Sequence, residues 1–471
     1  MFNITDEGAV SLTDIEMIFL HVMGVVLSDL MAETLEELDA RILGRRDKTR
    51  YELVDIRSRI IETVLGQPVT FKRRYYRDRE TGEYVFLLDQ QIGLDRMTRT
   101  SPALHDLMIR AGTMEASYRV AAENLARIVG SRITTHETIR QYVLKAGRLS
   151  DSLDEELIEK ADGKRKVDML FIEADGIWMH LQRAKKRSIE EKLMTVYEGW
   201  VPREGNPSEF SLKNSSMWSS HEQAEDWWDR ASRWVYGKYD IDPDTTVVLG
   251  GDRASWIRQG TRYFGGKHVL YQVDRFHFTR DIRRIFGKDS EAAAKVMSAV
   301  DQDPTGQLLM RSLAEARPFA LSHKRKDLDA LISDLSTIPD CVCDYRVRLR
   351  AVGMDTSGLR GLGIAESQVN RVSNRTKKQG RSWATRGLKG IMSMQCARFS
   401  GNLNRVLKLM PNSAKVPSIS KAEASKVATQ VIHAVFESWP RRQGLHPPIM
   451  DSGRTASGGM SHLFHQLLNG A

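Results

Sequence analysis

Apolar positions recur at spacings of three and four from residue 1 to about 66, at Leu35, Leu38 and Ile42 and again at Leu53, Ile56, Ile60, Ile61 and Val64. That period predicts amphipathic helices, which serve packing or self-association. From Val69 to Leu88 the period shortens to two around a charged turn, Arg77 to Glu83 with Thr81-Gly82, so a β-hairpin is expected. Its run Lys72-Arg73-Arg74-Tyr75-Tyr76-Arg77 mixes cations with aromatics. Helical spacing returns over residues 102–148. Ala116 to Val129 and Thr134 to Ala146, parted by Gly130-Ser131-Arg132, read as a helix-turn-helix or as an ordinary αα-hairpin. In the first case the second helix would offer Thr135, His136, Thr138, Arg140 and Gln141 to base edges.

A polar stretch from Lys160 to Lys166 reads as a linker, and a different pattern follows it. Val167 to Ala174, Ile177 to Gln182 and Leu193 to Trp200 predict three strands, the first two joined by a tight Asp175-Gly176 turn. A helix is expected over His221 to Tyr239, short strands over Thr246 to Gly250 and Val269 to Val273, and a helix over Arg275 to Phe286. Residues 287 to about 350 revert to helices, and Ile364 to Lys378 forms one more. Strands followed by mixed strand and helix units imply an α/β domain.

With 471 residues, 41% hydrophobic and 28% charged, the chain has room for two to four domains and a full core, which excludes a disulfide scaffold and wholesale disorder. Three cysteines without a C-x-x-C pair point to a reducing, intracellular setting. The apolar stretch Met17 to Leu27 contains His21 and falls short of the ~20 residues that span a bilayer, so neither a signal peptide nor a membrane anchor is expected. Charge adds more. Between Ser367 and Ala422 there is no acid but there are twelve cations, while the chain as a whole carries +9, leaving 9 − 12 = −3 for the rest. Such a stretch is either a solvated basic face or, the favoured reading, a surface neutralised by a polyanion.

Several familiar motifs fail. His221-Glu222 lacks a second histidine four residues on, because Glu225 stands there; the glycines before Lys267 have the wrong spacing for a P-loop; and Gly361-x-Gly363 lacks a third glycine. The acids are more promising. Asp175 and Asp252 each end an apolar strand in the pattern, and Glu366 opens the helix that begins the acid-free region. Two Asp and one Glu converging from separate elements would form a hard oxygen site for Mg²⁺ or Mn²⁺. Two such ions roughly 3.5–4 Å apart serve phosphodiester cleavage. Taken singly, each strand-end aspartate would serve as well to cap a turn. Asn370, Ser373 and Lys377 lie within about 40° of Glu366 on one helix face, a stripe suited to a metal ligand flanked by phosphate contacts. Glu173 shares a strand face with Asp175 and is a supporting group rather than a ligand.

The strings FIEADGIW, VLGGDRASWI, VDRFHFTRDI and IAESQVNRVSNRTKKQGRSW resemble those of bacterial insertion-sequence transposases of the ISLre class, a DDE group akin to mutator-like transposases. The resemblance covers most of the chain, including Leu87-Leu88-Asp89 with Gly93-Leu94, and is strongest from Val167 to Trp383. It implies an α/β ribonuclease H-like catalytic domain at 165–400 with a helical insertion at about 287–350. Ahead of that domain it leaves a mainly helical N-terminal DNA-binding region, with helices and hairpin at 1–99 and the helix-turn-helix-like part at 100–150; a basic tail region at 401–471 follows. Carried over, Asp175, Asp252 and Glu366 become catalytic residues and ligands of two Mg²⁺ or Mn²⁺ ions. Asp274-Arg275-Phe276-His277 matches a D-x-x-H signature, so Asp274 and His277 are auxiliary candidates; a helix cap with a packed histidine accounts for them equally well. Asn370, Arg371, Arg375, Lys377, Lys378 and Arg381 are the expected DNA contacts. The implied protein binds terminal inverted repeats and target DNA as a homo-oligomer, apart from any membrane, in the bacterial cytoplasm at the nucleoid. The rivals are a ribonuclease H-like nuclease or resolvase without strand transfer, and a non-catalytic DNA-binding regulator.

Overall fold

The computed structural model describes residues 11–288 and 290–411, so the expected tail at 401–471 lies outside the described residues beyond Pro411. The described residues divide into two compact units, 11–108, 119–136 and 411 in one and 109–118, 137–288 and 290–410 in the other.

The first unit opens with α1 (Leu12–Arg45), followed by β1 (Tyr51–Ile61), β2 (Val69–Asp78), β3 (Tyr84–Val85) and α2 (Leu87–Ile92); α3 (Pro102–Met114) and α4 (Tyr118–Val129) come next in the chain. Ser11 caps α1 by a reciprocal pair with Asp14, its hydroxyl accepting the Asp14 N–H at 3.2 Å. Leu35 of α1 packs with Ile61, Val69, Phe71 and Leu88. The carboxylate of Asp39, on the same helix, accepts the Arg74 guanidinium at 2.6 Å. Asp89 of α2 is the shared counter-ion of two buried arginines, Arg59 at 2.6 Å and Arg73. Burial and the Arg59 charge push the Arg73 guanidinium down to about 10. Removing one partner of such a buried group costs about 3–5 kcal/mol, which gives Leu87-Leu88-Asp89 a structural reason.

Two expectations for this region are corrected. Leu53 to Ile61 is not helix but strand, paired antiparallel with β2 over Tyr51↔Asp78 to Ile61↔Val69. A strand partner on the other side of a turn overrides a helical spacing of four or five apolar residues. The apolar stretch near the N-terminus is also longer than Met17 to Leu27. By length and composition α1 is able to cross a bilayer, with a mean hydropathy of 1.8 over its most apolar window.

The second unit contains α5 (His136–Lys160), β4 (Arg165–Lys166), β5 (Met169–Leu181), β6 (Ser188–Tyr197), β7 (Trp200–Arg203), β8 (Asn206–Leu212), β9 (Ser216–Ser220), α6 (Ala224–Tyr236), β10 (Tyr239–Asp240), β11 (Thr246–Gly251), α7 (Ser255–Gln259), β12 (His268–Val273) and α8 (Arg275–Phe286). There follow α9 (Glu291–Ala299), α10 (Gln307–Ala316), α11 (Arg325–Leu335), α12 (Tyr345–Ala351), α13 (Ala365–Thr376), β13 (Ser382–Trp383), α14 (Thr385–Phe399) and α15 (Leu403–Leu409). The helix expected to stop at Ala146 therefore runs on to Lys160. Asp175-Gly176 is no turn: β5 is one strand, and its antiparallel ladder with β6 passes through both residues, Asp175 opposite Leu193 and Gly176 opposite Lys192. A continuous ladder outweighs the local turn preference of Asp-Gly.

The main sheet runs β9-β6-β5-β11-β12, with β13 added to the far end of β5. β6 is antiparallel to both β5 and β9, whereas β11 is parallel to β5 and β12 parallel to β11. Numbered by first appearance, the order is 3-2-1-4-5. One face buries Leu170, Ile172 and Ala174 against Trp227, Trp228 and Trp234 of α6 and a shell that includes Phe278, Val296, Leu313 and Leu331 of α8 to α11. The opposite face buries Phe171 and Val248 against Tyr345 and Leu349 of α12. Farther along that face Ile177 and Met179 meet Val372 of α13 and Leu388 and Met392 of α14. The three cysteines are free and buried.

Candidate active site

The face beneath α12 and α13 is laid in rows across β5, β11 and β12. The register sets Phe171 beside Val248 and Val248 beside Leu270, an apolar row, and then Glu173 beside Gly250 and Gly250 beside Gln272. The parallel ladder ends one residue later, at Ala174, Gly251 and Val273, and the Asp274 N–H adds a bond to the Gly251 carbonyl at 2.7 Å. Side chains alternate between faces, so the next residues, Asp175, Asp252 and Asp274, stand at one level on the face of Glu173 and Gln272.

Each aspartate spends one oxygen on nearby backbone. Asp175 accepts the Gly176 N–H at 2.7 Å, Asp252 the Ala254 N–H at 2.8 Å, and Asp274 the Phe276 N–H at 2.7 Å, which caps α8. Burial pushes the Asp175 carboxyl up to about 6; the Asp252 and Asp274 charges add to the rise, while the Gly176 N–H and His277 oppose it. His277 Nδ1 is buried and has no hydrogen-bond partner. The cap reading of Asp274 and its place beside the other acids thus hold together. The gathered carboxylates suit a hard cation in charge and donor type, whereas an imidazole nitrogen does not. The acids form an open row rather than a closed cage: among the described residues no three His, Cys, Asp or Glu side chains converge closely enough to hold a metal ion.

Glu173 has the role that sequence reading could not supply. It is fully buried, and its Oε2 accepts the backbone N–H groups of Gly363 at 3.0 Å, Ile364 at 2.8 Å and Ala365 at 3.2 Å. Its Oε1 accepts the Tyr197 hydroxyl at 2.7 Å. These N–H groups are the orphan donors at the start of α13, so a carboxylate from β5 fastens that helix to the strand and complements its dipole. Gly250 makes room for the arrangement: a Cβ there would lie 3.0 Å from Glu173 Cγ and 2.9 Å from Leu362 Cδ1. Glu366, on the first turn of this fastened helix, is exposed. Arg253, next to Asp252, bonds Asp281 of α8 at 2.7 Å and Asp334 of α11 at 3.2 Å, anchoring the helical shell to the strand end.

The expected DNA contacts separate into two sets. Asn370, Arg371, Lys377 and Lys378 are exposed. Arg371 also lies over the Phe399 ring, and Arg381 spends its guanidinium on the Asn374 carbonyl at 2.7 Å and on Gln379. Arg375 departs from expectation: it is 4% exposed, bonds the Gly112 carbonyl at 3.2 Å and lies over the rings of Tyr118 and Trp383. A guanidinium sealed in this way is a packing element and does not meet a phosphate. Ser373, in the stripe with Glu366, is likewise buried.

Among known proteins, a UPF0236 protein in the vanSb 3′ region of Streptococcus gallolyticus is 26% identical over 398 residues, which is 83% of each chain. A UPF0236 protein of Caldanaerobacter subterraneus subsp. tengcongensis, whose printed name joins eleven loci, is 26% identical over 297 residues, 62% of this chain and 59% of that one. Among solved structures, the Drosophila P element transposase strand transfer complex aligns over 76% of this chain and 90% of that one at 11% identity, but its TM-score of 0.22 carries no argument. The family described as Uncharacterised protein family (UPF0236) matches residues 4–411. The chain belongs to the UPF0236 family.

Proposed function

We propose that the chain is a DDE-type DNA transposase that binds the terminal inverted repeats of an insertion sequence, cuts the strand ends and joins them to target DNA. The observation that carries this reading is that Asp175 and Asp252 each follow the last pair of the ladder between their strands, Ala174 beside Gly251, and are near enough for the Asp252 charge to act on Asp175, while Glu173 ties the helix bearing Glu366 to β5 two residues from Asp175. Three further facts support it. The 3-2-1-4-5 order, with two parallel strands after an antiparallel meander, is the one expected of a ribonuclease H-like domain. Helices fill the interval between Asp252 and Glu366, as the expected insertion requires. A relative repeated at eleven loci under one name is what a mobile element produces.

In this reading Asp175, Asp252 and Glu366 would hold two Mg²⁺ or Mn²⁺ ions, with Asp274 beside them. When bound, such ions activate a water or hydroxyl nucleophile and stabilise the leaving oxygen. The chain's own part is positioning and charge. Glu173 keeps α13 in place, exposed Lys377 and Lys378 hold phosphates, and His277, whose buried Nδ1 has no hydrogen-bond partner, lies near enough to Asp175 to favour its ionised form. Hydrolysis at the element end frees a 3′-OH, and that hydroxyl then attacks a phosphodiester of target DNA, displacing one strand oxygen as the new bond forms.

The test incubates the full chain with labelled DNA from the flanks of its gene and Mg²⁺ or Mn²⁺, resolving cleavage from joined products. Asp252→Asn should abolish cleavage and leave DNA binding nearly intact, because the amide keeps the shape without the ligand charge. Wild-type rates from Asp175→Asn, Asp252→Asn or Glu366→Gln overturn the assignment, and cleavage without joining replaces it by the nuclease reading.

A further inference from the structure

Of the two readings of α5, the helix-turn-helix one would leave a polar face free for bases, whereas the helix is packed within the second unit. Ile139, Val143, Leu144, Ala146, Gly147 and Ser150 are buried. Its crossing with α14 is backbone to backbone: a Cβ on Gly147 would lie 2.8 Å from the Gly390 Cα. Contact this close fixes the two helices and brings their exposed cations to one place.

On α5, Arg140, Gln141, Lys145 and Arg148 lie on a single face by their spacing of one, four and three. Together with Arg386 of α14 they line a cavity of about 480 Å³. Arg140 is held by Glu137 at 2.7 Å. Lys389, one turn beyond Arg386, is matched by Asp151 at 3.6 Å. Among the described residues Lys145, Arg148 and Arg386 have no acidic partner, although α5 itself carries Asp151, Asp154, Glu155, Glu156 and Glu159 farther along. Beyond Glu137, which Arg140 takes up, the helix carries its acids only from Asp151 onward, so Lys145 and Arg148 precede them, while Arg386 also borders a second hollow lined by Asp151, Asp154 and Glu155.

We propose that this cavity is a phosphate-backbone site, in which Lys145, Arg148 and Arg386 bind the phosphodiester oxygens of duplex DNA without reading its bases. Three like charges fixed by rigid helices around one hollow repel each other until an anion fills it, and a polynucleotide does so with release of its counterions. Duplex DNA is favoured over free phosphate because Arg386 belongs to the acid-free run that also holds exposed Lys377 and Lys378, so the same unit offers more cations than one phosphate can neutralise. The inference rests on the DNA-acting reading above and adds to it Lys145 and Arg148 of α5, which lie outside the acid-free stretch that holds Arg386.

The experiment measures binding of the full chain to a labelled random-sequence duplex by fluorescence anisotropy across a salt series. The variant K145A/R148A/R386A should bind every duplex more weakly, on the order of tenfold or more at low salt, and lower the slope of log K against log salt by about 0.9 per lost contact. K145Q/R148Q/R386Q, which keeps the side-chain length, should reproduce the change, so that loss of fold is separated from loss of charge. An unchanged slope with wild-type affinity overturns this site and leaves the transposase reading standing. Failure of the wild-type chain to bind any duplex overturns both. Displacement of DNA by inorganic phosphate well beyond that caused by chloride of equal ionic strength assigns the cavity to free phosphate instead.

Discussion

At the scale of single residues, Asp175 has a titration with a sign that can be worked out. Its carboxyl rises on folding from the ordinary value near 4 to about 6, so the folded chain binds this proton more tightly than the unfolded one. Acid therefore favours folding across that interval, and above it the ionised, partly buried group costs stability, up to about 3 kcal/mol. In the absence of divalent cations Asp175→Asn should be more stable than the wild type at about pH 7.5, with the gain shrinking as the pH falls through 6 and gone below about pH 4. Urea unfolding at several pH values measures it, and a gain that grows on acidification would contradict the charge row. Asp252 stood out beforehand because an acid closing an apolar run has no place in a core; Asp175 was marked on the same ground, although β5 runs on past it to Leu181. The contacts of Glu173 with α13 were not legible, because those partners lie 190 to 192 residues away along the chain.

At the scale of elements, α13 is held at its start by one carboxylate whose four hydrogen bonds all come from donors. A neutral amide has a single oxygen, and its NH₂ would confront N–H or O–H groups that need an acceptor. Glu173→Gln should loosen the first turn of α13. Amide exchange at Gly363, Ile364 and Ala365 should quicken while β5 and β6 stay protected, and cleavage should slow by about 10²-fold through kcat rather than KM, as a small misplacement does. Unchanged exchange with unchanged kcat would reduce Glu173 to a packing detail. The element boundaries repeat the same lesson. α8 spans Arg275–Phe286 as its periodicity foretold, being amphipathic and capped by its own Asp274. The run from Leu53 to Ile61 carries too few apolar positions to fix its own period, and its pairing with β2 decides it. Asp175-Gly176 reads as a turn only while the ladder with β6 is out of view.

At the scale of the molecule, the proposed action on DNA separates binding from chemistry. Removing divalent cations with a chelator should abolish cleavage yet leave duplex binding and its salt slope unchanged, since the phosphate contacts are made by side-chain cations; gel mobility with and without chelator decides it, and loss of binding along with cleavage would mean that the ions, not the basic surface, hold the DNA. The sequence alone determined the balance of charge, the aspartate that follows the apolar strand ending at Gly251, the amphipathic helices between Asp252 and Glu366, and the chemistry that two aspartates and a glutamate can support. These are properties of composition and local period, which neighbouring residues fix among themselves. Tertiary structure alone decided that Asp274 ranks level with Asp175 and Asp252, that Glu173 secures α13, that Arg375 is sealed inside while Lys145, Arg148 and Arg386 gather around one hollow, and that β5 runs unbroken. Each of these depends on strand register or helix crossing between segments far apart in the chain, and the energy of such contacts exists only once the partners have met.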